Sequence, residues 1–304
     1  MYNIKLGKSE LIVPTVAIGC MRIAEMNDKK ISEFIDTALS YGANFFDHAD
    51  IYGRGKCEEV FGKAIKNFKR EDIIIQTKCG IVPGKMFDFS YEHIISSVEG
   101  SLKRLGTDYI DVLLLHRPDA LMEPEEVAHA FSKLKNSGKV RHFGVSNQNP
   151  HQMMLLQKYL DMPICANQLQ FGIMHAPMIQ SNINVNMYND SAVNRDGSVL
   201  DFCRLNDITI QPWSPMQYGF FEGCFVDNDK FPELNKSMQI LADKYGVSKT
   251  TIAIAWILRH PAKMQPVTGT TNSTRLKDSL RATEINITRE EWYELYMKAG
   301  NILP

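Results

Sequence analysis

The sequence predicts an α/β fold, a (β/α)8 TIM barrel forming a single domain over residues 1–304, and three observations carry that prediction. Eight apolar runs rich in β-branched residues alternate with amphipathic stretches, and strict strand–helix alternation implies a parallel sheet. No G-x-G-x-x-G follows the first run, where an open dinucleotide-binding sheet would carry its phosphate turn; Gly53 and Gly55 follow the second run and lack the third glycine. The length suits a barrel of about 250 residues with added loops, and no composition break, repeat or Pro/Gly/Ser linker divides it.

The eight runs are, in order, "PTVAIGC", "ANFFDHA", "DIIIQTKCG", "YIDVLLLH", "VRHFGVSN", "ICANQLQF", "ITIQPWSP" and "MQPVTGT". Apolar residues three and four apart predict helices over 29–41, 58–67, 91–105, 125–137 and 150–160 between them. The longest irregular segment, Gly172 to Gly197, is rich in Asn and Met and reads as a functional wall or lid over the barrel.

A net charge of -1, from 34 Lys plus Arg against 35 Asp plus Glu, offers nucleic acid or an anionic membrane no general attraction. Six scattered cysteines, without C-x-x-C or metal-type spacing and without a leader-like start, predict a cytoplasmic protein. No apolar run approaches the roughly 18 to 20 residues of a spanning helix. Nothing in the pattern fixes an oligomeric state.

Barrel chemistry is built at the C-terminal ends of strands. The second run delivers Asp47 and then Tyr52, the third Lys78, the fourth His116, the fifth Ser146 and Asn147, the sixth Asn167 and Gln168, and the seventh Trp213 and Ser214. Taken singly, Lys78 could reach solvent, Tyr52 could be a packing aromatic, and a strand-end histidine is commonly structural. Together the four fit one mechanism. Asp47 keeps Lys78 charged, and the ammonium lowers the Tyr52 pKa from about 10 toward working pH. Tyr52 then acts as general acid while neutral His116 orients a carbonyl oxygen.

These residues, in "FDHADIYG", "IIIQTKCG" and "DVLLLHRPD", together with "GKVRHFGVSN", "ANQLQF", "WSPM" and "VTGTTNSTRLKDSL", give a chain that resembles the aldo-keto reductase superfamily over essentially its whole length. The resemblance implies NADPH, or NADH, as a dissociable cofactor, no metal, and reduction of a small aldehyde or ketone to an alcohol. By the same resemblance Ser146, Asn147 and Gln168 hold the nicotinamide carboxamide, Trp213 stacks on its ring, and Ser214 and Met216 begin the loop around the pyrophosphate. Gly269, Thr270, Thr271, Arg275 and Asp278 fall on the adenosine segment, with Arg275 the expected 2'-phosphate partner because Gly269 stands where many members have lysine. Gly19, Cys20 and Met21 form the nicotinamide wall at the end of the first run. The chain stops at Pro304 soon after its last helix, so the substrate walls are expected from Met21, Tyr52, His116, Met174 and the long segment after the sixth run.

Two other readings share the residues. A cofactor-binding regulatory subunit of the same fold would need partner-facing sequence, such as an extension before the first run, that this sequence does not show. A metal-dependent barrel hydrolase would use Asp47, Asp50, His48 and His116, though such sites usually begin with an H-x-H pair.

Overall fold

The computed structural model describes Met1–Pro304. All eight runs form strands: β1 Ala17–Gly19, β2 Phe45–Asp47, β3 Ile74–Cys79, β4 Ile110–Leu115, β5 Val140–Ser146, β6 Ile164–Gln170, β7 Thr209–Trp213 and β8 Val267–Thr268. They pair in parallel in chain order from β1 to β7, and β8 returns beside β1. Across the remaining gap the Gln265 amide, just before β8, donates to the Ile210 carbonyl of β7 at 3.0 Å, which brings the sheet round to a barrel.

The helices lie where the periodicity places them, α1 Asp28–Ser40, α2 Lys56–Ala64, α3 Tyr91–Leu105, α4 Pro124–Asn136 and α5 Pro150–Gln157. Local chemistry sets their ends. Ser90 caps α3 by accepting from the His93 amide, and Gly106 closes it in the left-handed conformation. At α5 a capping box between Asn149 and Gln152 stands beside Pro150 in the first turn. The segment Gly172 to Gly197 is less irregular than expected. It holds α6, Pro177–Ile183, started by a proline at its first position, and a 3-10 turn at Asp190–Ala192; its many asparagines serve as local caps, as when Asn189 accepts from the Ala192 amide. The remaining helices are α7 Val199–Leu205, α8 Pro232–Tyr245, α9 Lys249–Leu258, α10 Ser273–Arg281 and α11 Arg289–Lys298.

A hairpin that the sequence reading does not anticipate, Asn3–Lys5 paired with Ile12–Pro14, meets the N-terminal end of the barrel. At its turn the Gly7 amide donates to Thr209 Oγ1 at 2.8 Å. Gly7 has φ +54°, and a Cβ there would lie 2.3 Å from the Cys165 carbonyl oxygen, so only glycine fits. Leu6 and Val13 from the hairpin join Ala17, Phe45, Ile74, Val112, Leu114, Cys165, Ala166 and Val267 in one buried apolar cluster, while a larger cluster includes residues of the helices. Above the smaller cluster the inward residues turn polar.

Candidate active site

Lys78, the last residue but one of β3, has 0% exposure and stands beside Asp47 at 2%. Its Nζ donates to Asp47 Oδ1 and Oδ2, both at 2.8 Å, to the His48 carbonyl at 2.7 Å and to Tyr52 Oη at 3.2 Å. A buried ammonium needs this much compensation, because its desolvation costs several kcal/mol. Burial works to strip its proton, but Asp47 and then Tyr52 outweigh burial and hold the pKa above the ordinary lysine value. The expected convergence is therefore present, with one difference. Lys78 does pull the Tyr52 pKa down, yet burial is the larger effect and leaves the phenol above its ordinary value, so it stays protonated at neutral pH. Burial, then the positive charges of Lys78 and Arg117, push His116 well below the usual histidine range, so its ring is neutral. Its ring stands edge-on to Tyr52 with centroids 5.9 Å apart. Its Nδ1 is sealed and unpartnered, which leaves Nε2 open to the cavity.

A chain of buried amides supports this group from below. Gln76 Nε2 donates to Asp47 Oδ1 at 2.6 Å and Gln168 Nε2 to the same oxygen at 3.0 Å. Both also donate to Gln211 Oε1, at 3.0 and 3.3 Å. Gln211 Nε2 donates to Gln265 Oε1 at 2.8 Å, and Gln265 Nε2 reaches the Pro14 carbonyl at 2.6 Å. Every donor is directed by an acceptor-only group at one end, the Pro14 carbonyl, and by a carboxylate at the other. Asp47 Oδ1 is thus held by two neutral donors besides Lys78.

The segment carrying Tyr52 is fixed from outside the barrel. Tyr52–Gly55 is 3-10 structure broken by a kink, with left-handed backbone at Gly53, Arg54 and Gly55 (φ +57°, +57° and +88°), and a Cβ on Gly55 would lie 2.7 Å from Arg104 Cδ. Arg104 Nε donates to Glu58 Oε2 at 2.7 Å, and Thr77 Oγ1 donates to Glu58 Oε1 at 2.6 Å, tying the start of α2 to β3.

Tyr52 and His116 open onto a cavity of about 580 Å³ across the C-terminal face. Of the residues expected at a cofactor, Gly19, Met21, Ser146, Asn147, Gln168, Trp213, Ser214, Met216, Gly269, Thr270, Thr271 and Arg275 line it. Cys20 and Asp278 do not. Cys20 is fully buried beneath the wall, where burial raises its thiol pKa well above normal, and the Asp278 carbonyl accepts from Thr251 on α9. Nor does Met174 line the cavity; it packs on the core, and Ile81, Arg117, Phe221 and Cys224 stand in the wall instead. Asn147 and Ser214 both adopt left-handed backbone, φ +57° and +49°, where β5 and β7 end. Asn147 Nδ2 donates to Ser146 Oγ at 2.7 Å and Trp213 Nε1 to Asn147 Oδ1 at 3.1 Å, so these three side chains orient one another. Because Gln168 Nε2 is used on Asp47 and Gln211, the group it retains for a ligand is its carbonyl oxygen.

The cavity suits a nicotinamide dinucleotide. Gln217 Oε1 is buried without a partner in its wall, Gly269 leaves open space where a Cβ would project, and Arg275 begins α10 beside an Asn272 cap. The metal-site reading finds no such support in side-chain placement. Asp47 is bound to Lys78, and His48 is fully buried against Phe61, with ring centroids 4.5 Å apart. No helix is long and apolar enough to cross a membrane.

Comparison with known proteins follows the same lines. A family model described as "Aldo/keto reductase family" matches residues 15–298. The chain is 35% identical to the uncharacterized oxidoreductase YcsN of Bacillus subtilis (strain 168), with 97% of each chain covered. It is 33% identical to a 6-dehydroglucose reductase of Agrobacterium fabrum, with 98% of each covered. A crystal structure of the thermostable aldo-keto reductase Tm1743 with the inhibitor epalrestat superposes with a TM-score of 0.79 at 27% identity, covering 98% of this chain and 100% of that one.

Proposed function

The chain belongs to the aldo/keto reductase family, and on that premise we propose that residues 1–304 act as one cytoplasmic domain that reduces an aldehyde or ketone with NADPH, Tyr52 giving the proton. The observation that carries this is the Lys78 ammonium, fully buried, donating to Tyr52 Oη at 3.2 Å beside a neutral His116 at the cavity. With the Tyr52 oxygen already accepting from Lys78, its own O–H is free to point at a ligand.

A reduced nicotinamide held along the cavity by Ser146, Asn147, Gln168 and Trp213 would supply the hydride that the carbonyl carbon needs. The chain's own groups act on the oxygen. His116 Nε2 donates to the carbonyl oxygen and fixes its position, and the Tyr52 hydroxyl transfers its proton to that oxygen as charge develops there. With hydride from the reduced cofactor, which would be left oxidised, and the proton from Tyr52, the carbonyl would become an alcohol. The phenolate left behind faces Lys78, whose charge Asp47 maintains, until solvent restores the proton. Ser146, Asn147 and the Gln168 oxygen offer acceptors and donors to the carboxamide, and Trp213 offers its indole face. Arg275, in the cavity wall, would meet the 2'-phosphate, which favours NADPH over NADH. Six free cysteines, five of them buried, suit a reducing compartment.

The test is a scan of aldehydes and ketones with NADPH and NADH, following loss of reduced-nicotinamide absorbance. The reading expects turnover of aldehydes with NADPH preferred. It is wrong if no carbonyl compound is reduced with either cofactor by protein that binds them.

A further inference from the structure

A second hollow of about 370 Å³ opens beside the catalytic cavity, and the two share Arg117, Asn147 and Trp213 as walls. Arg117 follows His116 directly at the end of β4, half-buried, with its guanidinium carbon 5.4 Å from the Trp213 ring centroid. It has no ion-pair partner in the protein. Arg70 and Arg104, likewise half-buried, are paired, with Asp111 at 2.8 Å and with Glu58 at 2.7 Å. Arg117 stands in the same cavity wall as Tyr52, and burial lowers its pKa while Tyr52 works to raise it.

The surrounding charges leave Arg117 uncompensated. Three arginines, Arg22, Arg117 and Arg275, line the catalytic cavity, and its one carboxylate, Asp47, is taken by Lys78. Arg275 stands at the far end on α10, where the cofactor phosphates would be met. In the side hollow Arg195 adds a second positive charge; the one carboxylate there, Asp196, caps the Ser198 amide at 2.9 Å, and burial lowers the His175 pKa and keeps it neutral.

Resting on the carbonyl-reductase reading above, we infer that Arg117 selects substrates carrying a carboxylate besides the reacting carbonyl, with the side hollow receiving that acidic end. A carboxylate is the occupant the chemistry favours, since its two oxygens match the guanidinium fork and neutralise a charge that a hydroxyl would leave bare. Trp213, under Arg117 and held by Asn147, then links recognition of the acid to the wall of the nicotinamide site.

The test compares 4-carboxybenzaldehyde with 4-methylbenzaldehyde, matched in shape, using NADPH and wild type, Arg117→Met and Arg117→Lys. Wild type should favour the acid by about ten- to a hundredfold in kcat/KM, mainly through KM, the range of one charge-assisted contact. Arg117→Met should collapse that ratio toward one, and Arg117→Lys should restore part of it. A second arm titrates benzoate against tryptophan fluorescence at saturating NADP+. Trp213 reports on the site, while Trp256 and Trp292 stack in the core. Benzoate should bind wild type about tenfold or more tightly than Arg117→Met. Equal ratios in all three proteins, or equal benzoate affinity in wild type and Arg117→Met, overturn the inference. If neither aldehyde is reduced, the reductase reading fails and the benzoate arm alone decides whether Arg117 holds a carboxylate.

Discussion

The two ends of the cavity are built on different principles. At the proposed catalytic end, Asp47, Lys78, Gln76 and Gln168 sit on barrel strands, almost without exposure, and each is held by hydrogen bonds from other strands. At the proposed adenosine end, Gly269 to Arg275 lie on a loop and the start of α10, with Arg275 exposed and its side chain committed to no protein partner. Proton transfer tolerates little displacement, so its groups are positioned before the ligand arrives. A phosphate can be met by a flexible guanidinium on arrival. Substitutions at the first end should therefore alter turnover and stability, and those at the second should alter affinity alone.

Lys78→Met breaks the catalytic end most severely. It removes the charge that draws on the Tyr52 proton and leaves Asp47 buried without its cation, so turnover should fall by about a thousandfold or more, within reach of lost acid catalysis and lost electrostatic support together. Asp47→Asn should cost less turnover and more stability, about 3 to 5 kcal/mol, because it strands a buried ammonium. Steady-state rates and denaturant midpoints on both variants check the order. Equal, mild losses in both would reduce the pair to a structural ion bridge.

Gln211→Leu sharpens the comparison by touching no ligand. It leaves donors on Gln76 and Gln168 and the Gln265 oxygen each short of a partner, at about 1 to 3 kcal/mol. Turnover should drop with it, by about tenfold or less, through a less firmly held Asp47, while NADPH affinity holds. Unfolding curves, turnover and cofactor titration separate these.

Arg275→Met, at the other end, has the smallest effect on chemistry. NADPH affinity should weaken by about ten- to a hundredfold with NADH nearly unmoved, the worth of one charge-assisted contact to a phosphate. Parallel small losses for both cofactors would make Arg275 a packing residue.

What the sequence revealed follows the same division. Lys78 was legible because an ammonium closing an apolar run demands a partner, and Asp47 and Tyr52 stood at the next strand end to supply one. The amide chain was in view as Gln76, Gln211 and Gln265, each in an otherwise apolar run, but their meeting depends on barrel closure, which joins Gln76 to Gln211 across 135 positions. Arg117 gave no signal, since a charged residue just after a strand usually faces water. Cys20 and Asp278 were placed by resemblance to a motif, and a motif does not report which residues reach the cavity: Cys20 is fully buried beneath its wall, and Asp278 stands outside it. The hairpin at Asn3–Pro14 escaped because its first strand, Asn3–Lys5, is polar at both ends and mostly exposed, so it shows no apolar run.

The central claim is that Tyr52 carries the proton and does little else. The direct measurement is Tyr52→Phe, with turnover of a good aldehyde and the NADPH dissociation constant taken on the same preparation. The account predicts turnover lower by about a hundredfold or more with cofactor affinity within about twofold of wild type, the loss expected for a general acid. Near wild-type turnover in that variant would contradict it.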